Sequence, residues 1–314
     1  MKLSLVVPCY NEQEVIYDFY KEVKKVFENK VDSYEFVFVN DGSNDDTLSY
    51  LKAIHKVSDN VKVVSFSRNF GKESAMYAGL CNATGDYACV IDADLQQRPE
   101  VVLEMMQILD EDKTVDCVAA YQDERKEGKA VAFLKNGFYK LINKISEVEF
   151  YSGASDFRLM RRPMVEEVVK MTEYFRFSKG LFSFVGFNTK YIPYEVQERA
   201  AGTSKWPVKS LFKYAIEGIV GYTTTPLRIA SFAGIGCVAL AFLYLIIALI
   251  VGAITANITS AIAIITLILL MSGVQLITIG IIGEYLARTY MQGKNRPIYI
   301  VKEILTYEED KEEE

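Results

Sequence analysis

Apolar and polar positions alternate along the first 120 residues in a regular rhythm. Short apolar runs fall at Leu3–Val7, Phe36–Val39, Val61–Phe66, Tyr87–Ile91 and Cys117–Ala120. Between them lie amphipathic stretches near 12–29, 44–58, 71–82 and 99–110. Strands buried on both faces read as unbroken apolar runs, and runs separated by helices indicate βαβ units and a parallel sheet. In such sheets ligands bind beyond the carboxyl ends of the strands. That rule directs attention to Pro8–Glu12, Asn40–Asn44, Ser67–Gly71 and Asp92–Gln96, all rich in polar groups.

The pattern changes completely near the carboxyl end. From Ile229 to Gly283 there are 55 residues without one Asp, Glu, Lys or Arg. A bilayer core takes about 20 helical residues to cross. The stretch therefore predicts two transmembrane helices, 229–254 and 261–283, with Thr255–Ser260 as the turn. Arg228 precedes the first, and Arg288, Lys294 and Arg296 follow the second. The positive-inside bias places both flanks, and with them both termini and the amino-terminal domain, on the cytoplasmic side of the cell membrane. After Lys2 the apolar run is too short for a signal peptide. Lys129–Ser146 and Lys205–Tyr222 read as basic amphipathic helices of the kind that lie in a headgroup plane. The expected organisation is a domain over 1–204, a juxtamembrane helix over 205–226, the hairpin over 227–286 and a tail over 287–314.

Composition sharpens this only in places. The formal charge is −6, and the last eight residues, with six acids and one lysine, account for −5 of it. A near-neutral body lacks the basic footprint that nucleic-acid binding needs. Five cysteines form no CxxC pair, which fits reduced and mostly buried thiols. Asp92 and Asp94, just past the fourth strand, can converge on one hard cation that also binds phosphates. Asn11, Ser43 and Asn44 are residue types that cap helices. Gly71 and Lys72 stand where a helix starts, a natural anion site. His55, the single histidine, reads as a surface residue of the helix after the second strand. Gln275 is the strongly polar side chain deep in the second span, suited to a hydrogen bond with the other span or a neighbouring subunit.

Taken jointly, VVPCYNE (6–12), VNDGSNDDT (39–47), SRNFGKESAMYAGL (67–80) and DADLQ (92–96) resemble the inverting family 2 glycosyltransferases of GT-A fold. The likeness is greatest to the membrane-bound polyprenyl-phosphate glycosyltransferases, including bactoprenol glucosyltransferases and dolichyl-phosphate mannose synthases. It continues through Ser155–Leu159, Arg199–Trp206 and Gly283–Arg288. The resemblance implies an α/β GT-A domain followed by the hairpin. It also implies transfer of one sugar from a nucleotide sugar to polyprenyl phosphate at the cytoplasmic face. UDP-glucose is the preferred donor, UDP-N-acetylglucosamine close behind and GDP-mannose third. Pro8, Tyr10, Glu12, Asp41 and Asp92 would line the nucleotide pocket. Asp92 and Asp94, with Gln96, would hold Mg²⁺ or Mn²⁺. Asp156 would face the anomeric carbon and the acceptor. Arg125, Arg199 and Lys205 would neutralise phosphate charge. Relatives include tetramers, so a homo-oligomer is expected. Asn40 departs from the family, standing where many relatives have the first Asp of a DDGS motif, which bears on donor preference. A processive polysaccharide synthase would show a Gln-x-x-Arg-Trp motif, which Gln197-Glu198-Arg199 and the distant Trp206 do not supply. A non-catalytic binder of nucleotide sugars or lipid-linked sugars would not need Asp92, Asp94 and Asp156 together.

Overall fold

The computed structural model describes residues 1–122, 142–144, 146, 148, 151, 153–195, 197, 220–221, 223–255 and 261–306. These fall into two compact units, one within Met1–Ala215 together with Pro297–Glu314, the other within Ile216–Arg296. Arg125, Arg199, Lys205, nearly all of the two basic amphipathic stretches, the turn 256–260 and the acidic end lie outside the described residues.

The first unit is an α/β sandwich around one mostly parallel sheet. All five predicted strands form: β1 (Lys2–Cys9), β2 (Ser33–Asn40), β3 (Val61–Phe66), β4 (Tyr87–Val90) and β5 (Cys117–Gln122). Between them run α1 (Ile16–Phe27), α2 (Thr47–Lys56), α3 (Lys72–Asn82) and α4 (Pro99–Glu111). Then follow β6 (Ala154–Arg161), α5 (Arg162–Lys170), α6 (Ser178–Phe184) and β7 (Thr189–Tyr194), and after the second unit β8 (Val301–Leu305). The sheet order is β7-β5-β6-β4-β1-β2-β3-β8. β1 lies parallel between β2 and β4, whereas β6 and β8 run antiparallel to their neighbours.

Successive side chains of a strand point to opposite faces, and both faces here are covered. Leu3, Leu5 and Val7 enter a core with Phe19, Val23, Phe36, Leu51, Ile54 and Met105. Val6 enters the opposite core with Met76, Leu80, Met160 and Met164. α3 can approach β1 so closely because position 79 has no side chain. A Cβ there would stand 2.2 Å from Val6 Cγ1.

His55 is not on the surface. It is buried, and its Nδ1–H donates to the Val61 carbonyl at 2.7 Å. The lone histidine of α2 thus closes the turn into β3. Of the cysteines, Cys9, Cys89 and Cys117 are buried, Cys81 is exposed, Cys237 is intermediate, and none is disulfide-bonded.

The second unit holds two long helices, α7 (Thr225–Thr255) and α8 (Ala261–Gly293), which pack on each other. Among the described residues one stretch, Thr225–Tyr244, is long and apolar enough to cross a membrane. Phe232, Ile235, Leu240 and Phe242 are exposed on it, as are Ile264, Ile268, Leu276 and Ile279 on α8. α8 extends ten residues past the predicted end of its span, through Glu284 and Arg288. Gln275 is exposed on α8.

Overpacking at a tight helix–strand contact typically costs 1–3 kcal/mol. Gly79→Ala is expected to lower unfolding stability by about that amount, with the unfolding midpoint of the purified chain as the measurement.

Candidate active site

The site lies where the strand order reverses, between β1 and β4, the place a doubly wound sheet leaves a crevice. Three loops build one of its walls. The loops after β1 and β2 are laced by their own polar side chains. The Asn11 amide donates to Ser43 Oγ (3.0 Å), the Asn44 amide to Asn11 Oδ1 (2.9 Å) and the Glu12 amide to Thr47 Oγ1 (2.8 Å). Asn11 and Ser43 therefore do not cap helices. They tie one loop to the next, and Asn11 takes a left-handed backbone (φ 54°) to do so. Pro8, Tyr10 and Glu12 are half-buried along this wall.

Asp41 joins the second loop to the third. Its Oδ1 accepts the Phe70 amide at 2.6 Å and its Oδ2 the Gly71 amide at 2.9 Å. Burial pushes its carboxyl up to about 6 against the pull of those two amides. Next to it Gly42 has φ 62°, and a Cβ there would meet the Arg68 carbonyl carbon at 2.3 Å, so only glycine lets the two loops touch. Asn40 is buried and bonded at both ends of its amide. Its Nδ2 donates to Ser65 Oγ (3.0 Å) and its Oδ1 accepts the Ser43 amide (3.2 Å). The residue that departs from the family pattern thus binds β2 to β3 and to the following turn.

The carboxylates meet on the other wall. β4 and β6 are antiparallel with Val90 opposite Arg158. Continuing that register beyond the ladder sets Asp92 opposite Asp156. Lys72, the first residue of α3, reaches between them. Its Nζ lies 2.6 Å from Asp92 Oδ1, 2.9 Å from Asp92 Oδ2 and 3.5 Å from Asp156 Oδ2. Burial opposes the ammonium, but Asp92 and Asp156 hold it above the ordinary lysine range. Burial likewise opposes ionisation of Asp156. Lys72, then Lys179 and Arg158, outweigh it and keep the carboxyl below its usual value. Asp156 Oδ1 is buried and, among the described residues, has no hydrogen-bond partner. A buried unpaired carboxylate oxygen is costly, and a ligand donor would relieve it.

Asp92 is held further by Gln97, which accepts the Asp92 amide at 2.9 Å and donates to its Oδ2 at 3.2 Å. Asp94 Oδ1 accepts the Gln96 amide (3.1 Å), and Gln96 Nε2 donates to the Gln197 carbonyl (3.3 Å). Two carboxylates and an amide oxygen suit a hard divalent cation. Among the described residues no three His, Cys, Asp or Glu side chains gather into a metal cage. An ion here would complete its shell from a bound diphosphate, as Mg²⁺ commonly does.

Several members of this site went unread in the sequence. Beside Lys72, Glu73 accepts the Ser178 amide (2.9 Å) and the Ser178 hydroxyl, clamping α6 to α3. This brings Lys179 into the electrostatic neighbourhood of Asp156. Arg176 is buried with its guanidinium over the Tyr77 ring at 4.1 Å. Gln97 is buried as well. The available hint was the charged pair Lys72-Glu73 opening a helix directly after a strand loop.

Residues 4–169 match the family described as glycosyl transferase family 2. Over 303 residues the chain is 41% identical to a putative glycosyltransferase, CsbB, of Bacillus subtilis, covering 96% of this chain and 91% of that one. It is 41% identical over 310 residues to the prophage bactoprenol glucosyl transferase homolog of Escherichia coli, covering 97% and 99%. It is 42% identical over 308 residues to the bactoprenol glucosyl transferase of Shigella phage SfII, covering 96% and 98%. Among solved structures, glucosyl-3-phosphoglycerate synthase of Mycobacterium tuberculosis, in complex with Mn²⁺, UDP-glucose and phosphoglyceric acid, aligns with a TM-score of 0.45 at 21% identity, covering 70% of this chain and 77% of that one.

Glu73 carries a pH signature. Burial, then the charge of Asp156, push its carboxyl up to about 7 from an ordinary 4.5. A raised acid holds its proton longer in the folded state than in the unfolded one. Its contribution to stability is therefore full below about 4.5 and is lost as pH rises through about 7. Glu73→Gln should flatten that fall, read as the unfolding midpoint of wild type and variant between pH 4.5 and 7.5, a window of about three units around these values.

Proposed function

The chain belongs to glycosyl transferase family 2, and from that premise we propose that it moves a single sugar from a nucleotide-sugar donor to polyprenyl phosphate at the cytoplasmic face of the membrane. The observation that carries this reading is the convergence of Asp92 and Asp156 on Lys72 at the sheet's switch point. The acceptor is supported by the bactoprenol glucosyl transferases that resemble this chain over nearly its whole length. For the same reason UDP-glucose is the preferred donor, with UDP-N-acetylglucosamine next.

In this reading the laced loops around Pro8, Tyr10, Glu12 and Asp41 take the nucleotide. Asp92, Asp94 and Gln96 would hold Mg²⁺ or Mn²⁺, which would offset charge on the departing diphosphate. Lys72 stands beside them as a fixed cation for the same charge. Asp156 faces the reacting carbon, and its unpaired Oδ1 is proposed to accept the proton of the acceptor's minority protonated form. The acceptor is a phosphate monoester with a second pKa of about 6, mostly dianionic near neutrality, so it needs little help from a base. Arg125, Arg199 and Lys205 are proposed to meet its phosphate or the donor's.

The second unit is proposed to anchor the chain at the membrane, where the lipid acceptor lies. An isoprenoid tail leaves the bilayer only at about 0.8 kcal/mol per CH₂, so the site must come to the headgroup plane. α7 and α8 are proposed to form a membrane hairpin, with 205–226 as the juxtamembrane helix. Exposed Gln275 on α8 favours a second copy of this chain as its partner, since a polar side chain facing lipid is costly.

The test uses the full chain in detergent with undecaprenyl phosphate and Mn²⁺ or Mg²⁺. Labelled UDP-glucose, UDP-N-acetylglucosamine and GDP-mannose are offered separately. Label is expected in the lipid fraction from UDP-glucose and is expected to disappear with EDTA. Label from GDP-mannose alone would replace the donor, and nucleotide binding without any lipid label would favour a binding protein.

Single substitutions test the residue roles. Asp94→Ala and Asp156→Asn should each lower transfer by about 10²-fold or more with the fold intact, and Lys72→Met by about 10–10²-fold. Normal turnover in Asp94→Ala would remove the metal assignment.

A further inference from the structure

After α8 the chain does not trail away. Within seven residues it rejoins the catalytic sheet as β8, antiparallel to β3. Leu305 pairs with Val63, Ile304 with Val64, Glu303 with Ser65 and Val301 with Phe66, with an irregular step between Ser65 and Phe66. The Ser67 amide donates to the Ile300 carbonyl at 3.0 Å, and Lys52 Nζ lies 2.7 Å from the Glu303 carboxylate. Just before the strand, Tyr299 stacks on the buried Phe66 ring, centroids 4.8 Å apart and 18° from parallel. It also meets Tyr77 of α3 edge-on at 6.1 Å.

This contact leads straight to Asp41. Phe66 meets Phe70 edge-on at 5.8 Å, and the Arg68 guanidinium covers the Phe70 ring at 4.1 Å. The Phe70 amide and its neighbour Gly71 supply the two hydrogen bonds to the Asp41 carboxylate. Those two amides point at Asp41 only while the Phe70 ring is seated, and Phe66 is part of that seat. Phe66 in turn is the last residue of β3. Without β8 it would be an edge residue with one face open.

We infer that Tyr299 is a positioning residue for the nucleotide pocket: by stacking on Phe66 it seats the loop Ser67–Gly71 against Asp41. The inference rests on the reading of Asp41 as part of that pocket. It makes the segment that follows the membrane helices a working part of donor binding. The effect falls on binding rather than on the chemical step. Asp92, just past β4, and Asp156, on β6, lie on the far side of β1 and β2, and Lys72, although it follows Gly71 directly, is held in place by those two carboxylates and by the α3 anchor where Gly79 meets Val6.

The experiment titrates UDP and GDP, each with Mn²⁺, into the purified full chain in detergent, for wild type, Tyr299→Ala, Tyr299→Leu and Tyr299→Phe. One aromatic stack is worth up to about tenfold in an equilibrium. Tyr299→Ala is expected to weaken UDP binding and raise donor KM by about that factor, with kcat at saturating donor within about twofold of wild type. Tyr299→Phe should restore both. Hydrogen exchange at the Phe70 and Gly71 amides should quicken in Tyr299→Ala and not in Tyr299→Phe. If Tyr299→Ala does not fold, Tyr299→Leu carries the test, since it keeps apolar bulk and loses the stack. Unchanged UDP affinity in a folded Ala or Leu variant overturns the inference, as does a loss that Tyr299→Phe fails to restore. Wild-type protein that binds neither UDP nor GDP overturns the pocket reading itself, and the inference with it.

Discussion

Two carboxylates that face each other in a half-buried crevice repel, and neither stays ionised without a counter-charge. Lys72 supplies it, within 2.6 Å of Asp92 and 3.5 Å of Asp156. Much of the fold can be read as what is needed to hold that ammonium there. α3 must begin at once after the third-strand loop, so that its first side chain reaches across the crevice. β6 must run antiparallel to β4, so that Asp156 near its start lies level with Asp92 past its end. Glu73, the next residue along α3, anchors Ser178 and so brings a second lysine, Lys179, close to Asp156. A parallel β6 would have carried Asp156 to the opposite end of the sheet.

The parts that were legible in the sequence are those whose signal is local. A strand buried on both faces must be apolar throughout, and Leu3–Val7 or Phe36–Val39 show it without reference to any partner. Asp92 and Asp94 gained meaning only from their place after such a strand. What escaped depends on partners far away in the chain. β8 is a five-residue edge strand with alternating exposure, and its partner β3 lies more than 230 residues earlier. Three of its five residues are apolar, but VKEIL is too short for its pattern to say that it is a strand or which strand it joins. His55 was misread for a related reason. A histidine in an amphipathic helix looks solvated until the Val61 carbonyl is found within reach of its Nδ1. Asn11 and Ser43 have the chemistry of helix caps, but the same groups bond equally well to a neighbouring loop, and the tertiary arrangement chose the loop.

The membrane-type stretch shows the same rule from the other side. A charge-free run needs no partner to be recognised: α7 and α8 both form as helices over it, and among the described residues Thr225–Tyr244 is the stretch long and apolar enough to cross a membrane. The extension of α8 to Gly293 was not visible, because hydropathy measures only where charge begins. Glu284 and Arg288 lie one turn apart and suit helix as well as solvent, so the backbone continues after the apolar pattern stops. That continuation carries the chain to Lys294, a few residues before β8.

Asn40 shows how a departure from a family pattern should be weighed. An aspartate at this position would bring a second buried carboxylate beside Asp41, which is itself pushed up to about 6 by burial. The amide avoids that repulsion. It also offers a donor as well as an acceptor, and both are used, toward Ser65 and Ser43. An ionised carboxylate could accept from both partners but could not donate. The substitution therefore trades a charge near the pocket for a neutral tie between β2 and β3. Any influence on which nucleotide is accepted would act through the placement of Asp41 and its loop. Both ends of the Asn40 amide are already tied to β3 and to the following turn, which fixes its orientation and keeps its buried side chain with the loops rather than free to turn toward a base.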